Sequence, residues 1–161
     1  RYHAQIGSNV DPSVLKELRD RLHKQAQESC YQKRWEESLN SFMQVLAISE
    51  KLPSKEEGYR GVLIHNIGFC LHCLGELDAA KSYYQESIEC LEKEKASTPL
   101  AKRAIGALLY PEQLVLGAVY GSTFDNRVRM TKERLVDIAF GRTPDLKMLD
   151  GWGRTRDLPD K

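Results

Sequence analysis

Apolar residues recur three and four positions apart along most of the chain, which is the spacing of one face of an α-helix. The first such stretch follows Asp11 and Pro12, a capping residue and a residue that suits the first helical turn. Leu15, Leu18 and Leu22 then lie on one side of that predicted helix. The periodic stretches predict helices over about residues 12–32, 35–51, 57–74, 77–95, 100–110, 112–120 and 124–140.

Helix breakers separate these stretches where each apolar face ends. Pro53 follows the second predicted helix, Gly75 the third and Gly141 the last. Residues 1–11 and 142–161 lack the helical spacing, so they are predicted to be an extended lead-in and an extended or partly disordered C-terminal tail. No run of alternating apolar and polar residues predicts a β-strand. The expected fold class is therefore all-α.

One stretch, residues 61–88, carries the strongest internal pattern in the chain. Its characteristic residues are Asn66, Ile67, Gly68, Leu71, Leu74, Gly75, Leu77, Ala80, Tyr84 and Ile88. This pattern resembles the tetratricopeptide repeat (TPR) family, in which each repeat is a pair of helices. The resemblance implies that the two helices approach each other at the small residues Gly68 and Ala80. The residues expected to fill the space beside them are Leu71, Leu77 and Tyr84.

A weaker copy of the pattern precedes it over residues 19–52. It is carried by Trp35 and Phe42, with Ala26 at the place that Gly68 has in the second copy. The offset between Ala26 and Gly68 is 42 residues, which is longer than the common repeat of about 34 residues. In this respect the chain is similar to the lengthened repeats of kinesin light chains and of the Leu-Gly-Asn spindle-orientation adaptors.

The resemblance implies one TPR-like helical domain over residues 12–140. In such a domain, antiparallel helix hairpins would stack into a right-handed solenoid, with repeats at about 19–52 and 61–94 and additional C-terminal helices. Residues 100–140 show no recognisable third repeat, because Pro111 breaks the register where a further helix pair would begin. These residues are interpreted as a divergent repeat or a capping element.

Paired TPR helices form a concave groove, and the resemblance places several side chains on it. The predicted partner-binding residues are His23, Gln27, His65, Asn66, Phe69 and His72. The amide of Asn66 offers both a hydrogen-bond donor and an acceptor, which suits the backbone of a bound peptide. Phe69 would add an apolar anchor to the same face.

Alternatives to this groove stay open on the residues alone. Asn66 can hydrogen-bond a neighbouring helix instead of a peptide, and the histidines can be ordinary half-exposed helix residues. The groove can also be filled from within the chain, by residues 100–140 or by the tail that carries Trp152. The family's clamp for a chaperone's terminal carboxylate is incomplete, since His23 and Gln27 stand where lysine and asparagine are required.

Charge and composition exclude several classes of function. The chain has 24 basic and 23 acidic residues and a net charge of +1, without the basic excess of a nucleic-acid-binding surface. The most apolar run, residues 104–120, contains Pro111 and Glu112 and is shorter than the roughly 20 residues of a membrane-spanning helix. We therefore expect neither nucleic-acid binding nor membrane insertion.

Four cysteines, Cys30, Cys70, Cys73 and Cys90, fall in predicted helices. Cys70 and Cys73 form a C-x-x-C motif downstream of His65, but no second pair completes the ligand set of a structural zinc site. Reduced thiols indicate a cytoplasmic compartment, with association with the cytoskeleton as a further option. We expect no metal and no cofactor.

The sequence contains no nucleophile elbow, phosphate-binding loop or paired-carboxylate motif. The expected function is therefore that of an adaptor or scaffold, a protein–protein interaction module that binds a peptide or a partner helix, and not that of an enzyme. The alternative is a non-catalytic helical domain of a larger enzyme, since the chain begins with Arg1 and is expected to be part of a longer protein. The identity of the partner and self-association are left open.

Overall fold

The computed structural model describes residues 10–53, 59–97, 123–145, 147–149 and 155–157. Five helices and two short strands lie within these ranges. They are α1 Pro12–Tyr31, α2 Trp35–Lys51, α3 Tyr59–Cys73, α4 Leu77–Ser97, α5 Thr123–Ala139, β1 Lys147–Leu149 and β2 Thr155–Asp157. Each helix packs on the next one in chain order, as expected for stacked helix hairpins. The predicted all-α, TPR-like fold class is confirmed.

The helix ends follow signals that the sequence carries. The carboxylate of Asp11 accepts a hydrogen bond from the Ser13 backbone N–H at 2.9 Å and caps the start of α1. Gly75 follows α3 and Gly141 follows α5, with φ angles of 82° and 67° that residues with a side chain rarely adopt. The predicted ends of the described helices differ from the observed ones by about two residues at most.

The main core lies between α1, α2 and α3. Its buried members are Ala26, Cys30, Phe42, Val45, Leu63, Ile67, Phe69 and Cys70. Between α3 and α4, the helices approach closely at the small residues that the repeat pattern predicted. A Cβ atom added to Gly68 would lie 2.9 Å from the ring of Tyr84, and Ala80 is fully buried. The contacts expected at Gly68, Ala80 and Tyr84 are therefore present, whereas Leu77, which was predicted to fill the space beside them, is 39% exposed.

Buried serine hydroxyls join the two helices of each pair. The Ser38 hydroxyl on α2 donates to the backbone carbonyl of Ala26 on α1 at 2.8 Å. The Ser87 hydroxyl on α4 donates to the backbone carbonyl of Gly61 on α3 at 2.7 Å. A buried hydroxyl without a hydrogen-bond partner costs free energy. Each bond therefore fixes the axial position of one helix relative to the other.

The C-terminal tail contains two short strands. β1 and β2 pair as an antiparallel ribbon, with Lys147 opposite Asp157 and Leu149 opposite Thr155. The described part of the tail is thus extended where it forms these strands, although no alternating pattern predicted them. Strands of three residues are stabilised by pairing of their backbone groups and are too short to show an alternating pattern.

Some predictions fall on residues outside the described ranges. They concern the lead-in up to residue 9, the helices expected over 100–110 and 112–120, and Trp152. The division of the chain into a lead-in, a helical domain and a tail stays a prediction. None of the helices in the described ranges has the length and apolar character that a membrane crossing requires.

Replacing Ala80 with leucine should lower the free energy of unfolding by roughly 1–3 kcal/mol, because the added atoms overpack the contact between α3 and α4. The neighbouring Ala79 is exposed, so Ala79→Leu is a matched control and should change stability by less than about 0.5 kcal/mol. Urea denaturation of the purified variants measures both values. Equal stability of the two variants would contradict the register of the repeat.

Candidate protein-binding groove

α3 is the central helix of the described structure and is buried along nearly its whole length. Every residue from 61 to 70 is buried, and so is His72. α2 and α4 pack on two sides of this helix, and α5 and β1 also lie against it. The polar side chains of α3 therefore need hydrogen-bond partners inside the protein.

His65 is fully buried and contacts α5. Its Nδ1 lies 2.8 Å from the Thr131 hydroxyl oxygen, and that hydroxyl donates its own hydrogen to the Arg127 carbonyl at 2.8 Å. The hydroxyl oxygen can therefore only accept from His65, which places the ring hydrogen on Nδ1. The pKa of His65 lies well below its ordinary value. Burial is the larger cause, and the nearby positive charge of Arg134 is the second.

His72 joins three parts of the structure. Its Nε2 lies 2.8 Å from the backbone carbonyl oxygen of Arg142, and because a carbonyl only accepts, Nε2 carries the hydrogen. Nδ1 then accepts from the Tyr84 hydroxyl on α4 at 3.2 Å. Burial of the ring is the main cause that lowers the pKa of His72. Both ring nitrogens of this neutral histidine are engaged.

Phe69 lies between an aromatic ring and a cation. Trp35 meets it edge-on with the ring centroids 5.8 Å apart, and the Arg134 guanidinium of α5 lies 4.9 Å from its ring centroid. Arg134 is only 1% exposed, and its Nη1 donates to the backbone carbonyl of Asp145 at 2.8 Å. The same Nη1 forms an ion pair with the Asp145 carboxylate. The segment that follows α5 thus holds a charge inside the protein.

The two predicted residues on α1 lie apart from this cluster. His23 is half-buried, and its Nδ1 is 2.8 Å from the Tyr59 hydroxyl at the start of α3. The Arg19 guanidinium lies over the same tyrosine ring, 4.8 Å from its centroid. Gln27 is half-buried one turn further along α1. The α1 part of the predicted groove is therefore more accessible than the α3 part.

An extended segment covers the inner face of α3. After α5 ends, the chain turns back, since Asp145 reaches Arg134; Pro144 is buried, and β1 continues against α3. Together with α5, this segment contacts the face that carries four predicted site residues. They are His65 at 0%, Asn66 at 1%, Phe69 at 0% and His72 at 2% exposure. The structure brings these four residues together, but on a face that the same chain occupies.

Phe69, which is predicted to be an apolar anchor on this face, belongs to the main buried cluster. An anchor for a partner needs to be accessible, so the folded chain as described does not offer Phe69 to one. Helix register shows which side chains share a face and does not show what packs on that face. Sequence reasoning also missed Thr131 and Arg134, whose only signal was the periodicity that predicted α5. The role of the six predicted residues in binding a partner stays a prediction.

The pKa values of Cys70, Cys73 and Cys90 are raised, whereas the hydrogen bond with Cys70 lowers the pKa of Cys30. The pKa of Cys70 lies well above its ordinary value, first through its hydrogen bond with Cys30 and then through burial. Burial raises the pKa of Cys73 to about 12 and that of Cys90 to about 11. These groups are protonated near neutral pH, whereas metal ligands and nucleophiles are thiolates. Within the part of the chain that the structure describes, no group of three or more ligating side chains could hold a metal ion.

The fold and the repeat pattern agree with a comparison against known families. Residues 22–93 match a model of the tetratricopeptide repeat family. The matched range spans nearly all of both predicted TPR copies, and it includes the whole of α3 with its buried polar side chains. No curated protein and no solved structure matches the chain significantly. The family match supports a TPR protein.

Phe69→Ala should lower the free energy of unfolding by about 3–5 kcal/mol, because a fully buried ring is lost from its contacts with Trp35 and Arg134. Leu74 is 38% exposed, so Leu74→Ala is the control and should cost less than about 1 kcal/mol. Denaturation of both variants and of the parent protein gives the values. Unchanged stability in Phe69→Ala would show that the face is accessible and not part of the core.

The two buried histidines should make stability depend on pH. In the folded chain the pKa values of His65 and His72 are lowered, whereas in the unfolded chain they should lie near the ordinary value of about 6.5. Between these values the unfolded chain binds protons that the folded chain excludes. The stabilising contribution is therefore complete above the unfolded-state pKa and is lost as the pH falls through the folded-state pKa values.

The free energy of unfolding should accordingly fall as the pH is lowered from about 7.5 to about 5.5, by at most about 1.4 kcal/mol per pH unit for each histidine. The slope should be smaller in His65→Gln, which lacks one of the two titrating groups. Parallel pH profiles for the variant and the parent protein would contradict the burial of a neutral His65.

Proposed function

We propose that the chain is a non-catalytic adaptor or scaffold module, which binds an extended peptide or a partner helix along the inner faces of α1, α3 and α5. The observation that carries this proposal is that the inner face already holds an extended backbone. His72 donates to the carbonyl of Arg142, and Arg134 donates to the carbonyl of Asp145. A surface that binds the main-chain carbonyls of a segment outside the helices has the chemistry needed to bind a peptide.

The accessible part of the proposed surface lies on α1. His23 is held by the Tyr59 hydroxyl and meets Phe42 edge-on, with 5.8 Å between the ring centroids. A polar group that is already oriented loses little conformational entropy when a partner binds. His23 and Gln27 are therefore the residues at which a partner would make contact without disturbing the core.

Three finer features belong to the proposal. The offset of 42 residues between Ala26 and Gly68 supports repeats of the long type found in kinesin light chains and Leu-Gly-Asn adaptors. The free cysteines, which include the buried Cys30, support a reducing, cytoplasmic location. The non-catalytic role is supported by His72, because both of its ring nitrogens are used in structural hydrogen bonds.

Site-specific cross-linking tests the proposal. A photoreactive amino acid is placed at Gln27 on the inner face or, as a matched control, at Gln85, which is exposed on α4. When the whole chain is irradiated in cell extract, we expect adducts with a protein partner from Gln27 and few from Gln85. Mass spectrometry of the adducts identifies the partner and the peptide that contacts the groove.

Adducts that form equally at both positions, or only at Gln85, would contradict binding along the inner face. An adduct between two copies of the chain at Gln27 would support the proposal and identify self-association as the interaction. The melting temperature of both labelled proteins should equal that of the parent protein, which shows that the label has not disturbed the fold.

A further inference from the structure

The end of α5 directs the chain back onto the inner face. Gly141 has a φ angle of 67°, and the backbone N–H that follows it bonds back into the last turn of α5 at 2.7 Å. The chain then passes His72 near the end of α3, reaches Arg134 through Asp145 and continues as β1 against α3. The segment therefore lies in the space between the inner faces of α3 and α5.

The contacts of this segment are those of a bound peptide. The main-chain carbonyls of Arg142 and Asp145 accept hydrogen bonds from His72 and Arg134, each at 2.8 Å. Pro144, between these two residues, is buried. The Asp145 carboxylate forms the ion pair with Arg134. Backbone acceptors, one apolar side chain and one charge together give the segment both affinity and a fixed position.

The two members of the ion pair are buried to very different degrees. The Arg134 side chain is 1% exposed, and the Asp145 side chain is 57% exposed. The cation is thus a fixed part of the face, whereas the carboxylate reaches it from an exposed segment. A pair with an exposed member contributes modestly to stability, so the segment can be displaced. A buried cation without its carboxylate costs free energy. A ligand that replaces the segment must therefore supply another carboxylate.

We propose that residues 142–145, together with the strand 147–149, are a built-in ligand of the inner face, and that a partner displaces them with an extended peptide that presents a carboxylate to Arg134. This inference rests on the proposed function and adds the chemistry of the partner and the regulation of its binding. The partner's peptide offers backbone carbonyls to His72 and Arg134 and carries aspartate or glutamate next to a small apolar residue. Both ligands use one face. The partner's apparent affinity is therefore its intrinsic affinity multiplied by the fraction of chains whose face is open.

The test uses the whole chain and a fluorescein-labelled peptide with the sequence of residues 142–149, whose binding is measured by fluorescence anisotropy. Asp145→Lys places a second cation beside Arg134 and should release the segment. The labelled peptide should then bind at least about tenfold more tightly than it binds the unchanged chain.

The chain offers a matched control in Asp20→Lys. Asp20 is 56% exposed and pairs with Arg19, which is 5% exposed, and the Arg19 guanidinium also lies over an aromatic ring. The change of charge is therefore the same, and the altered pair again joins a buried arginine to an exposed aspartate, but it lies on α1. Asp20→Lys should bind the labelled peptide as the unchanged chain does.

A second peptide, in which lysine replaces the aspartate, tests the carboxylate itself. It should bind the Asp145→Lys chain at least about tenfold more weakly than the first peptide. Equal binding of the first peptide to all three proteins, or equal binding of the two peptides to Asp145→Lys, would overturn the proposal.

The rate of proteolysis tests the docking of the segment in the unchanged chain, so this test does not depend on whether a variant folds. In the unchanged chain, trypsin should cleave after Arg142 at least about tenfold more slowly than it cleaves a free peptide of residues 138–149, because a docked backbone cannot enter the protease. Cleavage at the rate of the free peptide would overturn the proposal.

The results also separate this inference from the proposed function. Suppose that a partner is cross-linked at Gln27 but the peptide does not bind to Asp145→Lys. The inference of a built-in ligand is then wrong, and the proposed interaction function still holds. Binding of the peptide without any cross-linked partner would support the built-in ligand and count against the proposed function.

Discussion

The structure depends on how the polar side chains of α3 are satisfied once this helix is buried. His65, Asn66 and His72 lie at 0%, 1% and 2% exposure, where a polar group without a partner costs free energy. His65 finds its partner on α5, and His72 finds its partners on α4 and on the segment after α5. Docking of α5 and of the segment after it therefore gives hydrogen-bond partners to side chains of α3 that are buried in the folded chain.

The same contacts explain why the face that is predicted to line a TPR-type groove is covered in this chain. The guanidinium of Arg134 lies over the ring of Phe69 and is held there by Asp145, so the cation, the ring and the extended segment form one assembly. A site whose occupant is tethered in the same chain experiences a high effective concentration of that occupant. The proposed binding of a partner would then depend on the stability of the docked segment as much as on the partner's own contacts.

Much of the fold could be predicted because helix periodicity and capping act over a few residues. The spacing of Leu15, Leu18 and Leu22 predicted α1, and the absence of a side chain at Gly68 indicated the close approach of the two helices, which the structure contains beside Tyr84. The candidate site was predicted less completely. The register placed His65, Phe69 and His72 on one face of α3, but it carried no information on the helix that packs there, and short paired strands gave no pattern at all.

The sequence by itself determined the order of the helices, their ends and the side chains that share each face. Only the tertiary structure decided what covers α3. The contact from His65 to Thr131 joins residues 66 positions apart, and the contact from His72 to Arg142 joins residues 70 positions apart. Periodicity describes one helix at a time, whereas the choice of neighbour follows from how the surfaces of several helices fit together. The repeat pattern therefore predicts that His65, Asn66, Phe69 and His72 line a groove, whereas the folded chain buries all four.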